Sequence, residues 1–140
     1  MTRFVVDTGV LLSGIVAAPS SPPGRLLAAA RAEAFEMVAC PLVFDELRRG
    51  LAKSYFRERV SPDEARGLLD AFELIATVHP NPAAPSKVVR DPNDDFLVAL
   101  AASSRADAIV TGDRDLLDHA ALRPPAIDAR AACELLGLRA

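Results

Sequence analysis

The run Phe4-Val5-Val6-Asp7-Thr8-Gly9-Val10-Leu11-Leu12 opens as a short β-type apolar segment, stops at an acid, and resumes with apolar residues suited to a helix or tight turn. A buried strand that ends on a carboxylate and gives way to a helix is the beginning of an alternating α/β chain. The same arrangement returns far downstream. Asp107 to Val110 reads as a strand buried by composition, it ends at Thr111-Gly112-Asp113, and a short helix carrying Leu116 and Leu117 follows.

Between and beyond these two points the punctuation is regular. Pro19 to Gly24 is rich in proline and serine and reads as a loop, and Leu26 to Phe35 has an Ala-rich helical pattern. Glu36 to Ala39 is strand-like. Pro41 fits the first turn of a helix with Phe44, Leu47 and Leu51 at helical spacing. Ser61-Pro62-Asp63-Glu64 is a capping-box start for a helix with Ala65, Leu68, Leu69 and Phe72 as its stripe, ending before a strand near Leu74 to Val78. Pro80, Pro82 and Pro85 mark a loop into Asp91-Pro92-Asn93-Asp94-Asp95, where Asp91 suits an N-cap, Pro92 the first helical position and Asp94 a capping partner. That helix runs to about Arg105. A last strand is expected at Ala126 to Asp128, with a helix through Leu136. Strands alternating with helices predict a mainly parallel sheet of four to five strands covered on both faces, a three-layer α/β/α sandwich.

At 140 residues and 51% hydrophobic content, the chain is sized for a single domain with one core. It has no apolar run near the ~20 residues of a membrane-spanning helix. Its N-terminus enters a strand instead of a cleavable leader, so a cytoplasmic protein is expected. Cys40 and Cys133 lie in apolar surroundings without a Cys-x-x-Cys or a neighbouring His, which predicts buried free thiols and no zinc site. The net charge of −3 disfavours a protein that coats nucleic acid non-specifically. It does not disfavour a nuclease, because acidic metal ligands lower net charge, and Arg48, Arg49, Lys53, Arg57 and Arg59 cluster in one segment.

In an open parallel sheet, functional groups collect at the carboxyl ends of the strands. Asp7 and Asp113 occupy that position. Asp95 is in the first turn of a helix, where the dipole favours a negative charge, and Glu46 is one turn into another helix. The residues alone leave two choices open: Asp94 or Asp95, and Asp45 or Glu46. Two unit charges ~4 Å apart repel by about 4 kcal/mol at an effective dielectric of 20, and a hard cation such as Mg²⁺ or Mn²⁺ is the usual resolution. Such a site suits phosphodiester hydrolysis.

These segments resemble the PIN domain, and within it the VapC-like ribonuclease toxins of toxin–antitoxin pairs. Val5-Val6-Asp7-Thr8-Gly9 resembles the family's opening strand and first acid, and Phe44-Asp45-Glu46-Leu47 the helix with its second. Asp94-Asp95-Phe96-Leu97-Val98-Ala99 resembles the third, and Val110-Thr111-Gly112-Asp113-Arg114-Asp115-Leu116 the fourth strand and closing motif. Ser21-Pro22-Pro23-Gly24 and the Asp-Pro-Asn-Asp-Asp run resemble a subgroup described as toxin components.

The resemblance implies Mg²⁺- or Mn²⁺-dependent RNA cleavage with Asp7, Glu46, Asp95 and Asp113 catalytic. Asp7, Asp95 and Asp113 would be the metal ligands, with Thr8, Asp94, Thr111 and Asp115 in support. It also implies an antitoxin partner and a homodimer. Arg48, Arg49 and Lys53 are the expected nucleic-acid contacts. Gly9 departs from the family, many of whose members carry Asn there.

Other chemistries fit less well. Asp7-Thr8-Gly9 matches the triplet of aspartic proteases, but those are all-β and need two such acids. A phosphoaspartyl or receiver-type domain would use a strand-end Asp, yet no Asp-x-Asp follows the first strand and no suitably placed strand-end Lys is evident. There is no Gly-rich loop ending in Gly-Lys-Ser/Thr, which removes nucleoside triphosphatases. A catalytically silent interaction protein that keeps the fold is a third class, motivated by Gly9.

Overall fold

The computed structural model describes residues 1–83 and 92–138, without the side chains of 92–95. Five strands form one sheet in the order β3-β2-β1-β4-β5, all parallel: β1 (Arg3–Val6), β2 (Glu36–Ala39), β3 (Thr77–Val78), β4 (Ala108–Val110) and β5 (Ala126–Ile127). In register, Val5 lies opposite Val38 on one side and Ile109 on the other. Successive residues of a strand face opposite sides of a sheet. Phe4, Val5 and Val6 are nevertheless all buried, as are Ala108, Ile109 and Val110, so both faces of the central strands are covered. The expected three-layer α/β/α architecture is the one observed.

The helices are α1 (Thr8–Val16), α2 (Pro22–Arg31), α3 (Pro41–Leu51), α4 (Ser54–Arg57), α5 (Pro62–Ile75), α6 (Pro92–Ser103), α7 (Arg114–Leu117) and α8 (Ala129–Leu135). Among the described residues no helix is long and apolar enough to cross a membrane. Helix α6 packs on β1 and β4, while α1 packs on α2 and α3, and α2 also on α8. Gly14 permits the close approach of α1 to α2, and Gly24 that of α2 to the loop that follows α1. A Cβ on Gly14 would meet the Pro23 carbonyl oxygen at 2.7 Å, and one on Gly24 would collide with that of Ala18. Cys40 and Cys133 are buried and free, as expected.

The elements depart from the sequence expectation in three places. Pro22, Pro23 and Gly24 belong to α2 instead of a loop: the Ser21 hydroxyl accepts from the Gly24 amide at 3.2 Å, so prolines in the first turn sacrifice no hydrogen bond. Helix α2 also stops at Arg31, short of Phe35. Glu33 takes φ 54°, the Ala34 amide reaches back to the Ala29 carbonyl at 2.9 Å, and the amide of Glu33 to that of Ala30 at 3.0 Å. This is a Schellman closure without glycine, and it frees Phe35 to pack on Phe4 with ring centroids 5.2 Å apart. Finally, α5 continues to Ile75, leaving Leu74 86% exposed on a helix instead of in a strand. The expected capping box at Ser61 is present, its hydroxyl accepting from the Glu64 amide at 3.1 Å. The expected N-cap at Asp91 lies outside the described residues.

The edge of the sheet at the strand N-termini is tied by one network. Arg3 Nε donates to Glu36 Oε2 at 2.7 Å, Thr77 Oγ1 donates to Glu36 Oε1 at 2.9 Å, and Arg3 Nη1 donates to the Ser104 carbonyl at 2.7 Å. The bonds from Arg3 and Thr77 lower the Glu36 carboxyl below its ordinary pKa.

Candidate active site

The strand order reverses direction at β1, from which β2 and β3 extend one way and β4 and β5 the other. At such a switch point the connections leave the sheet on opposite sides and open a crevice at the carboxyl ends of the strands. Asp7 follows β1 there. Its backbone amide donates to the Val110 carbonyl at 2.8 Å, which carries the β1–β4 ladder one step past the strand. Its carboxylate stands at the N-cap of α1 without making a full capping hydrogen bond, and so remains turned toward the crevice.

Thr111 joins the two strand-end acids. Its side chain is completely buried, Oγ1 donates to Asp7 Oδ2 at 2.8 Å, and the same oxygen accepts from the Asp113 amide at 3.1 Å. Asp113 Oδ1 in turn accepts from the Asp115 amide at 2.8 Å, capping α7. Burial raises the Asp7 carboxyl above its ordinary pKa, and the charge of Asp113 pushes the same way. The Thr111 hydroxyl and the nearby amides of Gly9 and Thr8 pull it back. A charge held in partial burial beside a second charge of the same sign is what an added cation would relieve.

Asp7 forms part of two neighbouring clefts. One, of about 380 Å³, is lined by Asp7, Thr8, Glu46, Arg49 and Lys53. Gly50 packs closely on α1 here: a Cβ would meet Cδ1 of Leu12 at 2.5 Å, so that side chain would have to turn. The other cleft, of about 530 Å³, is lined by Asp7, Ser13, Thr111, Asp113, Asp128 and Arg130.

The helix phase separates residues adjacent in sequence. Glu46 and Arg49 face Asp7, whereas Asp45 is exposed and ion-pairs with Arg48 at 3.0 Å. Arg48 also reaches Glu73 at 3.9 Å and lines a different groove, toward α5. Asp115 is exposed at the start of α7. The side chains of Asp94 and Asp95 lie outside the described residues, but their backbone belongs to the first turn of α6, the helix that packs on β1 and β4. Among the described residues, no three acid, His or Cys side chains are grouped closely enough to hold a metal ion by themselves.

A family model described as the PIN domain matches residues 3–115. The chain belongs to the PIN domain family. The match takes in β1 through Asp115, and thus every acid of the PIN-domain resemblance. Among solved structures, PAE2754 from Pyrobaculum aerophilum is similar with a TM-score of 0.68 at 18% identity, covering 97% of this chain and 90% of that one. VapBC2 from Rickettsia felis, solved bound to a DNA fragment from its promoter, is similar with a TM-score of 0.61 at 16% identity, covering 91% and 98%. At these identities the likeness shows the fold alone. No curated protein matches significantly.

Two features of this PIN domain escaped the sequence reading. Asp128 and Arg130 share the cleft with Asp7 and Asp113. Asp128 follows β5 and caps α8, its Oδ1 accepting from the Ala131 amide at 2.8 Å, so the strand-end rule that selected Asp7 and Asp113 would also have found it. Gly9 is not a turn residue: it is the second residue of α1, and a Cβ there would meet nothing within 4 Å. The backbone does not require glycine at that position.

Proposed function

We propose that the protein is a metal-dependent endoribonuclease that hydrolyses RNA phosphodiester bonds, acting as the toxin of a toxin–antitoxin pair. The observation that carries this reading is the coupling of two strand-end carboxylates, Asp7 and Asp113, through the buried Thr111 hydroxyl at the sheet's switch point. Membership of the PIN family supports nuclease chemistry, and the fold likeness to VapBC2 supports an antitoxin partner.

The donor set is hard oxygen, which suits Mg²⁺ or Mn²⁺. Asp7, Asp113 and Asp95 would hold the ion, with Glu46 facing Asp7 across the cleft. A bound ion supplies charge screening at the phosphate and a more acidic water. The chain's own residues do the positioning. Thr111 fixes the Asp7 carboxylate through Oδ2, and the Asp115 amide fixes that of Asp113 through Oδ1, so both would be oriented before an ion binds. Arg49 and Lys53 would grip phosphates beside Glu46, and unpaired bases would supply selectivity. A cytoplasmic homodimer inhibited by an antitoxin completes the proposal.

The test is incubation of purified protein with labelled single-stranded and structured RNA in Mg²⁺, Mn²⁺ or chelator, beside Asp7→Asn and Asp95→Asn. Cleavage that needs the metal and both acids is expected. Cleavage retained in chelator or in both variants would overturn the mechanism.

A second reading, a PIN-fold interaction protein without activity, draws on Gly9, where the fold has room for a polar side chain that is missing. Metal-dependent cleavage by the unaltered protein would exclude it.

A further inference from the structure

The two clefts that meet at Asp7 are unequal in how they treat an anion. On the α3 side, Glu46 is accompanied by Arg49 and Lys53. On the α8 side the described residues that line the cleft include three acids, Asp7, Asp113 and Asp128, and one cation, Arg130. A phosphodiester strand that continued from the α3-side cleft across Asp7 would enter that second cleft, where carboxylates would repel it unless a cation intervenes.

Arg130 is placed for that task. It is exposed on the first turn of α8 and makes no hydrogen bond or ion pair with any described residue. The nearest acid in sequence, Asp128, is engaged with the Ala131 amide at 2.8 Å. Arg114, at the start of α7 beside Asp113, is by contrast occupied by Asp118 at 2.7 Å. An unengaged guanidinium at the rim of an acidic cleft matches a single phosphate of a bound strand.

Resting on the ribonuclease reading, we propose that Arg130 is a second phosphate-binding residue, on the opposite side of Asp7 from Arg49 and Lys53. A single RNA strand then spans both clefts, with the scissile phosphate over Asp7 and a flanking phosphate held on each side. Arg130 binds substrate without touching the reacting atoms.

The test is binding of a labelled single-stranded RNA by fluorescence anisotropy across a salt series, in the Asp7→Asn background so that substrate survives. Each phosphate contact on a single strand contributes about 0.7 to the slope of log K against log salt. Arg130→Gln should lower the slope by about 0.7 and weaken binding about 3- to 10-fold at low salt. Lys53→Gln should do the same, the double variant should lose about twice as much slope, and Arg130→Lys should keep it. In the cleaving protein, Arg130→Gln should raise KM with kcat unchanged. The melting temperature should not move, and Arg66→Gln, in a surface pair with Asp63, should behave as the parent does. An unchanged slope in Arg130→Gln, with the parent protein binding and cleaving RNA, overturns this inference alone. A parent protein that neither binds nor cleaves RNA overturns the ribonuclease reading and this inference with it.

Discussion

Replacing Thr111 by valine exchanges one oxygen for a methyl of nearly the same size. That oxygen donates to Asp7 at 2.8 Å and accepts from the Asp113 amide at 3.1 Å. A hydrogen bond to a charged group contributes about 1.5–3 kcal/mol, and the new buried methyl returns part of it, so the net loss of stability should be about 1–2 kcal/mol. For a chain of this length that is a fall in Tm of roughly 3–8 °C. The effect on cleavage should be larger than the stability loss suggests. The Asp7 carboxylate loses its fixed rotamer as well as a donor that opposes its burial, and if the whole bond energy acts in the transition state kcat falls about 10- to 100-fold.

Serine at 111 separates the two roles. It keeps the hydroxyl but empties a methyl's space at a residue with 0% exposure, which should cost about 1 kcal/mol. Thr111→Ser and Thr111→Val should therefore melt at similarly reduced temperatures, while only the valine variant loses activity. Thermal melts and single-turnover cleavage of a labelled RNA measure both. A valine variant as active as the parent, or a serine variant as impaired as valine, would refute the positioning argument.

Asp7→Asn should abolish cleavage yet raise the Tm of the metal-free protein, by about 1 kcal/mol of stability, because it removes a buried charge facing Asp113 while its amide oxygen still accepts from Thr111; a lower Tm would count against the burial cost. Glu36→Gln should destabilise by about 0.5–1 kcal/mol at neutral pH. Because the Glu36 carboxyl is lowered in the folded state, its contribution is complete above the ordinary value of 4.5 and disappears as pH falls below it, so parent and variant should converge in denaturant melts under acid. Gly24→Ala should cost about 2–3 kcal/mol, since the new Cβ meets backbone, the Ala18 carbonyl, and not a side chain that can turn away; a variant with unchanged stability would show that the loop after α1 can move away from α2 freely.

Strand identity was legible because the β runs end sharply on Asp7 and Thr111-Gly112-Asp113, and because buried central strands are apolar on both faces. Helix ends were legible where a cap side chain announces them, as at Ser61. They were not legible where closure uses a residue that ordinarily avoids positive φ: Glu33 at 54° terminates α2 with nothing in the sequence to mark it. The acids could be shortlisted from strand ends alone, but Glu46 could not be told from Asp45 until the helix phase was known, and the resemblance supplied it. The basic cluster illustrates the same limit. Composition groups Arg48 with Arg49, yet one step of helix rotation places Arg48 against Asp45 and Glu73 and Arg49 beside Asp7. Arg130 carries no local signal, because its cleft is closed by a strand and helix at the far end of the chain.

The hydrogen bond between Thr111 and Asp7 links positions 104 residues apart. A ribosome making this protein therefore exposes the first acid long before the partner that orients it, and β1 lacks one of its two neighbouring strands until β4 emerges. Synthesis at roughly 5–20 residues per second leaves an interval of several seconds in which the nascent chain has an acid but no centre. For a protein proposed to cut RNA, made by a machine built of RNA, the order of assembly has a consequence: products truncated before β4 lack the hydroxyl that orients the first carboxylate.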